Sequence, residues 1–245
     1  MSLLITFVGL NSLLASLGKI TAFDANAPVV RPPGKVSIIV PVWNEPEEFV
    51  MAALQSLHNQ NIVRAYPYLF EFIIVDGVPY VNKLRKYGKV IHAPPGKLVA
   101  RDKAIRTATG DIIVSVDADC IYPVNWLNQV LAPFHDAGVV GVSTTSEWLG
   151  PLEVVFHMLK RVYYSNLMSG RGSAFRRDAY FKIGGFNTKR KYLSIDELQL
   201  EEEVEFMHRL KQVGKVVLVD APVIHLGGVK MEGRGLRSHN PREGF

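Results

Sequence analysis

From residue 36 onward the chain alternates two patterns. Short continuous apolar runs are followed by longer stretches in which apolar positions recur every three or four residues. Lys35-Val-Ser-Ile-Ile-Val-Pro41 predicts a buried strand. Residues 46–59 predict a helix with Pro46, Glu47 and Glu48 in its first turn, where proline and acidic residues are favoured. Further strands are predicted over 70–75, 90–92, 111–116 and 139–144. Further helices are predicted over 80–87, 97–108 and 123–135, the second of them closed by Gly110. This alternation predicts an α/β domain whose mostly parallel sheet is flanked by helices on both faces. The second half is less regular. It predicts a long amphipathic helix over 152–168, a loop and short strand over 170–177, a helix from Ser194 or Asp196 through Leu210, and a strand over 216–219.

Residues 1–23 need a separate reading. Positions 2–18 carry no charge and are rich in leucine. Drawn as a helix, Leu3, Phe7, Leu10, Leu14 and Leu17 share one face, with Ser2, Thr6, Gly9, Ser12 and Ser16 opposite. The segment falls short of the roughly 20 apolar residues of a spanning helix, and no basic stretch precedes it as in a secretory signal. It is expected either to pack on the protein itself or to make peripheral contact with a membrane. Residues 24–35, punctuated by Pro28, Pro32, Pro33 and Gly34, read as a linker.

Composition narrows the class. Among 245 residues, 48% are hydrophobic and 21% charged, enough to bury a sizeable core. The single cysteine, Cys120, rules out an intrachain disulfide and fits a reducing compartment. The expected location is therefore the cytoplasm or the cytoplasmic face of a membrane. The formal net charge of +5 favours small anionic partners. Its cations are scattered without a nucleic-acid motif, so no nucleic-acid partner is expected.

In open parallel sheets, ligands bind beyond the carboxyl ends of the strands. The segments after Val42, Val75 and Val116 each carry acid: Glu45, Asp76, and the pair Asp117 and Asp119. Residues two apart on a strand point the same way, about 7 Å apart. Oxygen ligands of Mg²⁺ or Mn²⁺ need about 2.0–2.3 Å. A division of labour is therefore expected, with Asp119 on the metal in the turn before Pro123. Asp117 then holds the ribose or binds the metal less directly. Lys97 and Arg101, four apart, share a helix face and suit a pyrophosphate, or else form a solvated basic face. Cys120 reads as a small buried residue.

Six segments occur in an informative order: Val36-Ser-Ile-Ile-Val-Pro-Val-Trp-Asn-Glu45, Phe72-Ile-Ile-Val-Asp76-Gly77, Gly96-Lys-Leu-Val-Ala-Arg101, Gly110-Asp-Ile-Ile-Val-Ser-Val-Asp-Ala-Asp119, Arg171-Gly-Ser-Ala-Phe-Arg-Arg177 with Gly184-Gly-Phe186, and Glu202-Glu-Val-Glu-Phe-Met-His-Arg-Leu210. Together they resemble the family 2 glycosyltransferases, which have the GT-A fold, across roughly residues 36–230. The resemblance implies a Rossmann-like domain with a donor half over 36–145 and an acceptor half over 146–230. Residues 231–245 follow as a flexible basic tail. It implies transfer of a sugar from a nucleoside-diphosphate donor, UDP favoured and GDP the alternative, to an acceptor hydroxyl with inversion. Mn²⁺ or Mg²⁺ would be the cofactor. The acceptor would be a carbohydrate, a lipid-linked group or a protein.

Residue roles follow from the same resemblance. Pro41, Trp43, Glu45 and Asp76 would hold the nucleoside, and Lys97, Arg101 and Asp117 the rest of the nucleotide. The family often has two acids where this chain has only Asp76 before Gly77. Asp119, Asp117 and His225 would hold the metal. Gly172, Ser173 and Trp148 would face the acceptor, with Gly170 allowing close backbone approach and Tyr192 available for stacking. Arg176 and Arg177 read as structural or surface charges. Lys230, Arg234 and Arg237 could fold over the donor. The base would be Glu203, with Glu202 and Asp196 as alternatives. In the family this pair usually reads Glu-Asp, so the base here would be one methylene longer.

Two other readings compete. A sugar nucleotidyltransferase would carry a Gly-rich loop after the first strand, where this chain has Val42-Trp-Asn-Glu-Pro46. A non-catalytic carbohydrate-binding protein on the same fold would have no need of acids at all these places. No long apolar segment follows the domain, which argues against a channel-forming processive synthase.

Overall fold

The computed structural model describes residues 28–76, 79–144, 168–189 and 200–226. The helices expected over 1–23 and 152–167, Trp148, Tyr192, Asp196 and the basic tail lie outside the described residues. So do the side chains of Asp76 and Glu203.

Most of the apolar runs become strands buried on both faces, while the two edge strands are only half-buried. β1 (Val36–Pro41), β2 (Phe70–Asp76), β3 (Lys89–His92) and β4 (Ile112–Val116) are parallel. Beyond β4 come β6 (Val139–Thr144), β7 (Gly172–Arg176) and β8 (Lys215–Val219), and the seven strands lie in the order β3-β2-β1-β4-β7-β6-β8. β7 is antiparallel to both β4 and β6, and β8 is parallel to β6. All strands except β7 therefore end at one edge, and β7 begins there. That edge collects the turns after β1, β2 and β4, the segment entering β7 and the segment leaving β8.

Side chains alternate along each strand, so each strand feeds two cores. Val36, Ile38, Val40, Val114 and Val116 pack on one face with Val50, Leu54 and Leu57 of α1 (Glu47–His58). Ile39, Ile73, Ile113 and Phe175 pack on the other with Leu98, Ala104 and Ile105. These three belong to α4 (Lys97–Thr107), which follows two short helices, α2 (Asn61–Ala65) and α3 (Val81–Leu84). Gly96 begins α4 at φ +125°, a conformation that L side chains rarely adopt.

The elements differ from the sequence expectation in several places. The helix expected over 123–135 divides into α5 (Trp126–Leu131) and a 3₁₀ turn, Ala132–His135. Pro133 lacks the N–H that would continue the α ladder. The described part of the late helix is a π-helix, Leu200–Glu205, that passes into α7 (Phe206–Lys211); α6 (Arg177–Lys182) precedes it. Neither α2 nor α6 is predicted by the sequence pattern. Nor is the small antiparallel sheet of β5 (Cys120–Ile121) and β9 (Ile224–His225). Among the described residues, no helix is long and apolar enough to cross a membrane.

Candidate active site

The turn after β1 is tied down from three directions. The Val42 N–H donates to Val75 O at 2.9 Å, and the Tyr80 hydroxyl to Glu45 O at 2.7 Å. The Glu45 carboxylate accepts the N–H groups of Trp43 (2.7 Å) and Asn44 (3.1 Å). Glu45 thus shapes its own turn. Burial pushes its carboxyl above the ordinary value, and the nearby charge of Asp119 adds to the shift against the backbone N–H bonds. Pro41 ends the strand, and Trp43 stands out from the turn with 51% of its surface exposed. Asp76 ends the neighbouring strand β2.

Beyond β4 the acids divide. Asp117 Oδ1 accepts from Arg101 at 2.7 Å and lies 3.6 Å from Lys97 Nζ. Arg101 also donates to Gly170 O at 2.9 Å and pairs with Glu202, which Lys97 meets at 3.2 Å. Arg101 is 2% exposed and Glu202 3%. Two cations therefore face two carboxylates, the arrangement that makes burying such charges tolerable. Neither expectation for Arg101 is met in its simple form. It is not part of a solvated basic face, and it stands behind Asp117 instead of presenting an open fork to a phosphate. Lys97 is the more exposed of the two. Glu202, one alternative for the base, is turned inward against two cations, which suits an anchor better than a proton acceptor open to a hydroxyl.

Asp119 points elsewhere. Its Oδ2 lies 2.9 Å from Nε2 of His225, and its backbone oxygen accepts the Leu226 N–H at 2.8 Å. The cause is the small second sheet, whose register places Cys120 opposite His225. Burial alone would raise the Asp119 carboxyl, but the hydrogen bond and charge of His225 lead an opposing set that holds it below its ordinary value. Two adjacent ligands of an octahedral ion at about 2.1 Å stand about 3 Å apart, so this carboxylate and imidazole fit neighbouring positions on one cation. Among the described residues, no group of three or more His, Cys, Asp or Glu side chains is gathered to hold an ion. Further ligands would come from residues outside the described ones, a bound molecule or water. Cys120 is buried, and burial pushes its thiol well up, so it stays protonated and is a poor nucleophile.

The acceptor-side expectation needs correction at Gly172 and Ser173. Both are buried in β7. A Cβ on Gly172 would lie 2.5 Å from Trp126 Cζ2, so packing against an indole, not approach of a ligand, requires glycine there. Ser173 is paired in register between Ser115 and Ser143. Just before the strand Gly170 is buried as well, and Arg171 is half-buried. Arg176 is structural: its guanidinium donates to Val139 O and Phe134 O at 2.8 and 2.9 Å.

The buried bracket beneath the acid turn was not anticipated. Gln60 donates to Tyr122 O and Pro123 O and accepts the Leu127 N–H. Ser56 accepts the Tyr122 N–H. Gln60 is fully buried, and nothing in the local sequence around it marks that role.

Comparison with known proteins decides the family. Residues 37–191 match the family described as Glycosyl transferase family 2. The chain belongs to that family. The glycosyltransferase is 26% identical over 141 residues to an N-acetylglucosaminyltransferase of Bradyrhizobium diazoefficiens; the match covers 53% of this chain and 27% of that relative. The chain thus matches only about a quarter of that relative's length. Among solved structures, a mannosyltransferase of Pyrobaculum calidifontis in complex with GDP-Man and Mn²⁺ superposes with a TM-score of 0.64 at 20% identity. That superposition covers 94% of this chain and 68% of the other. GalNAc-T7 with UDP, GalNAc and Mn²⁺ gives 0.58 at 19% identity, covering 78% of this chain and 43% of that one. At such identities these structures establish the GT-A fold, and the family to which the chain belongs is one of glycosyltransferases.

Proposed function

We propose that this glycosyltransferase moves a sugar from a nucleoside-diphosphate donor to an acceptor hydroxyl with inversion. UDP is the favoured nucleotide and GDP the alternative. The observation that carries this reading is the 2.9 Å approach of Asp119 and His225 at the sheet edge, beside Asp117 and the exposed indole of Trp43. The structures of similar fold with GDP-Man or UDP and Mn²⁺ support the donor class and the metal.

In this reading, Trp43 offers a ring face to the base, Glu45 fixes the turn that carries it, and Asp76 meets the base or ribose from β2. Asp117, oriented by Arg101, hydrogen-bonds the donor, and Lys97 approaches the diphosphate. Asp119 and His225 would hold Mn²⁺ or Mg²⁺, which when bound would supply positive charge to neutralise the leaving diphosphate. The acceptor, a carbohydrate, lipid-linked group or protein, enters past the half-buried Arg171. Its hydroxyl proton goes to Glu203, next to the inward-turned Glu202 on the π-helix; π turns recur at functional sites.

The test is a thermal-shift comparison of UDP and GDP, each with and without Mn²⁺. A rise in melting temperature that needs both nucleotide and Mn²⁺ supports the reading, and the larger rise identifies the nucleotide. No rise with either nucleotide contradicts it.

A further inference from the structure

Tyr122 is larger and more polar than its place requires. The ring is buried, 4.7 Å from that of Trp126 in an edge-on arrangement, where phenylalanine would pack as well. Its main chain is fixed by Ser56 and Gln60. The hydroxyl is therefore the part to explain, since burying one costs free energy unless its hydrogen bonds are made. It accepts the Asp117 N–H at 3.0 Å and lies 2.9 Å from both Asp117 O and Arg171 O.

A phenol has one proton, so only one of these two carbonyls can receive it at a time. Given to Asp117 O, the proton would close a purely local loop. Given to Arg171 O, it joins the acid turn to the segment entering β7. Arg101 makes a parallel join on the other side: it grips the Asp117 carboxylate and Gly170 O together. Asp117 is thus held at its backbone by one side chain and at its carboxylate by another. Each of those side chains also holds one of two consecutive carbonyls, Gly170 O or Arg171 O, at the start of the neighbouring strand.

We infer that Tyr122 is a positioning residue whose hydroxyl fixes the acid turn 117–119 against the segment 170–171, and so sets where Asp117 meets the donor. This rests on the donor-site reading above. Tyr122 touches no substrate in this scheme; it acts through Asp117.

The test compares the full chain with Tyr122→Phe and with Ser37→Ala. Ser37 bonds Glu71 and Gly110 at the opposite end of the sheet, so its loss is a purely structural control. Both variants should melt below wild type. Titrated with UDP or GDP in the presence of Mn²⁺, Ser37→Ala should keep wild-type affinity. Tyr122→Phe should bind about tenfold more weakly, the scale of one buried hydrogen bond. Wild-type affinity in Tyr122→Phe overturns the inference. If wild type itself binds neither nucleotide, the donor-site reading fails and takes this inference with it. Should Tyr122→Phe not fold, amide hydrogen exchange of wild type decides. The Asp117 amide and peptides covering 169–172 should gain protection together on adding nucleotide and Mn²⁺, and protection of one without the other overturns the inference.

Discussion

Glu202→Gln separates an anchoring acid from a catalytic one. The substitution keeps size and one acceptor oxygen but removes the charge that faces Arg101 and Lys97. Lys97 is partly exposed and can turn to water; Arg101, at 2% exposure, cannot. Arg101 would keep Asp117 and Gly170 O as partners, so the loss falls at the lower end of the cost of breaking a buried ion pair, about 3 kcal/mol. For a chain of this size each kcal/mol moves the melting point by about 2–4 °C, giving a fall of about 6–12 °C. Urea unfolding and calorimetry read the first quantity, and sugar release from the donor reads activity. The account predicts a clear loss of stability with activity reduced only as far as Arg101 and Asp117 shift. A variant that melts like wild type while turnover falls by a factor on the order of 10² or more, as for loss of a general base, would show that Glu202 is the base.

Three further outcomes are expected. Glu203→Gln should cut turnover by a factor on the order of 10² or more while donor affinity stays near that of wild type; full activity, checked in a donor-release assay, would shift the base to another acid. Burial pushes Glu71 up, but bonds from Ser37 and Thr109 outweigh it and hold its carboxyl below the ordinary 4.5. Its contribution to stability is therefore present above that value and lost as pH falls through the lower folded one, so Glu71→Gln should flatten the acid limb of a stability–pH curve. Gly172→Ala should destabilise by about 1–3 kcal/mol through overpacking on Trp126, measured by urea unfolding.

The legible parts of the fold were those written in local pattern. β1, β2, β4 and β6 are rich in branched apolar residues, and their predicted bounds fall within a residue of the observed strands. The acids at the ends of β1, β2 and β4 share an edge because parallel strands must end together. What stayed hidden depends on contacts distant in sequence. Two-residue strands such as β5 and β9 leave no periodic trace, yet their pairing brings His225 to Asp119 across 106 residues. Arg101 on α4 offers no local hint that it is buried, because the acid that neutralises it, Glu202, lies on a different helix. Gly172 reads as freedom to approach a ligand until Trp126 is seen where its side chain would stand. Tyr122 and Gln60 look like ordinary loop residues until α1 and the acid turn are placed together.

The central claim is that Asp119 and His225 hold a divalent cation on which nucleotide binding depends. Titration calorimetry of UDP and GDP into wild type and Asp119→Ala, with Mn²⁺ and with a chelator, tests it most directly. The account predicts tight binding to wild type only with Mn²⁺, and binding to Asp119→Ala that is weak and the same with or without the metal. Nucleotide affinity that Asp119→Ala leaves unchanged, or that Mn²⁺ does not alter in wild type, would contradict it.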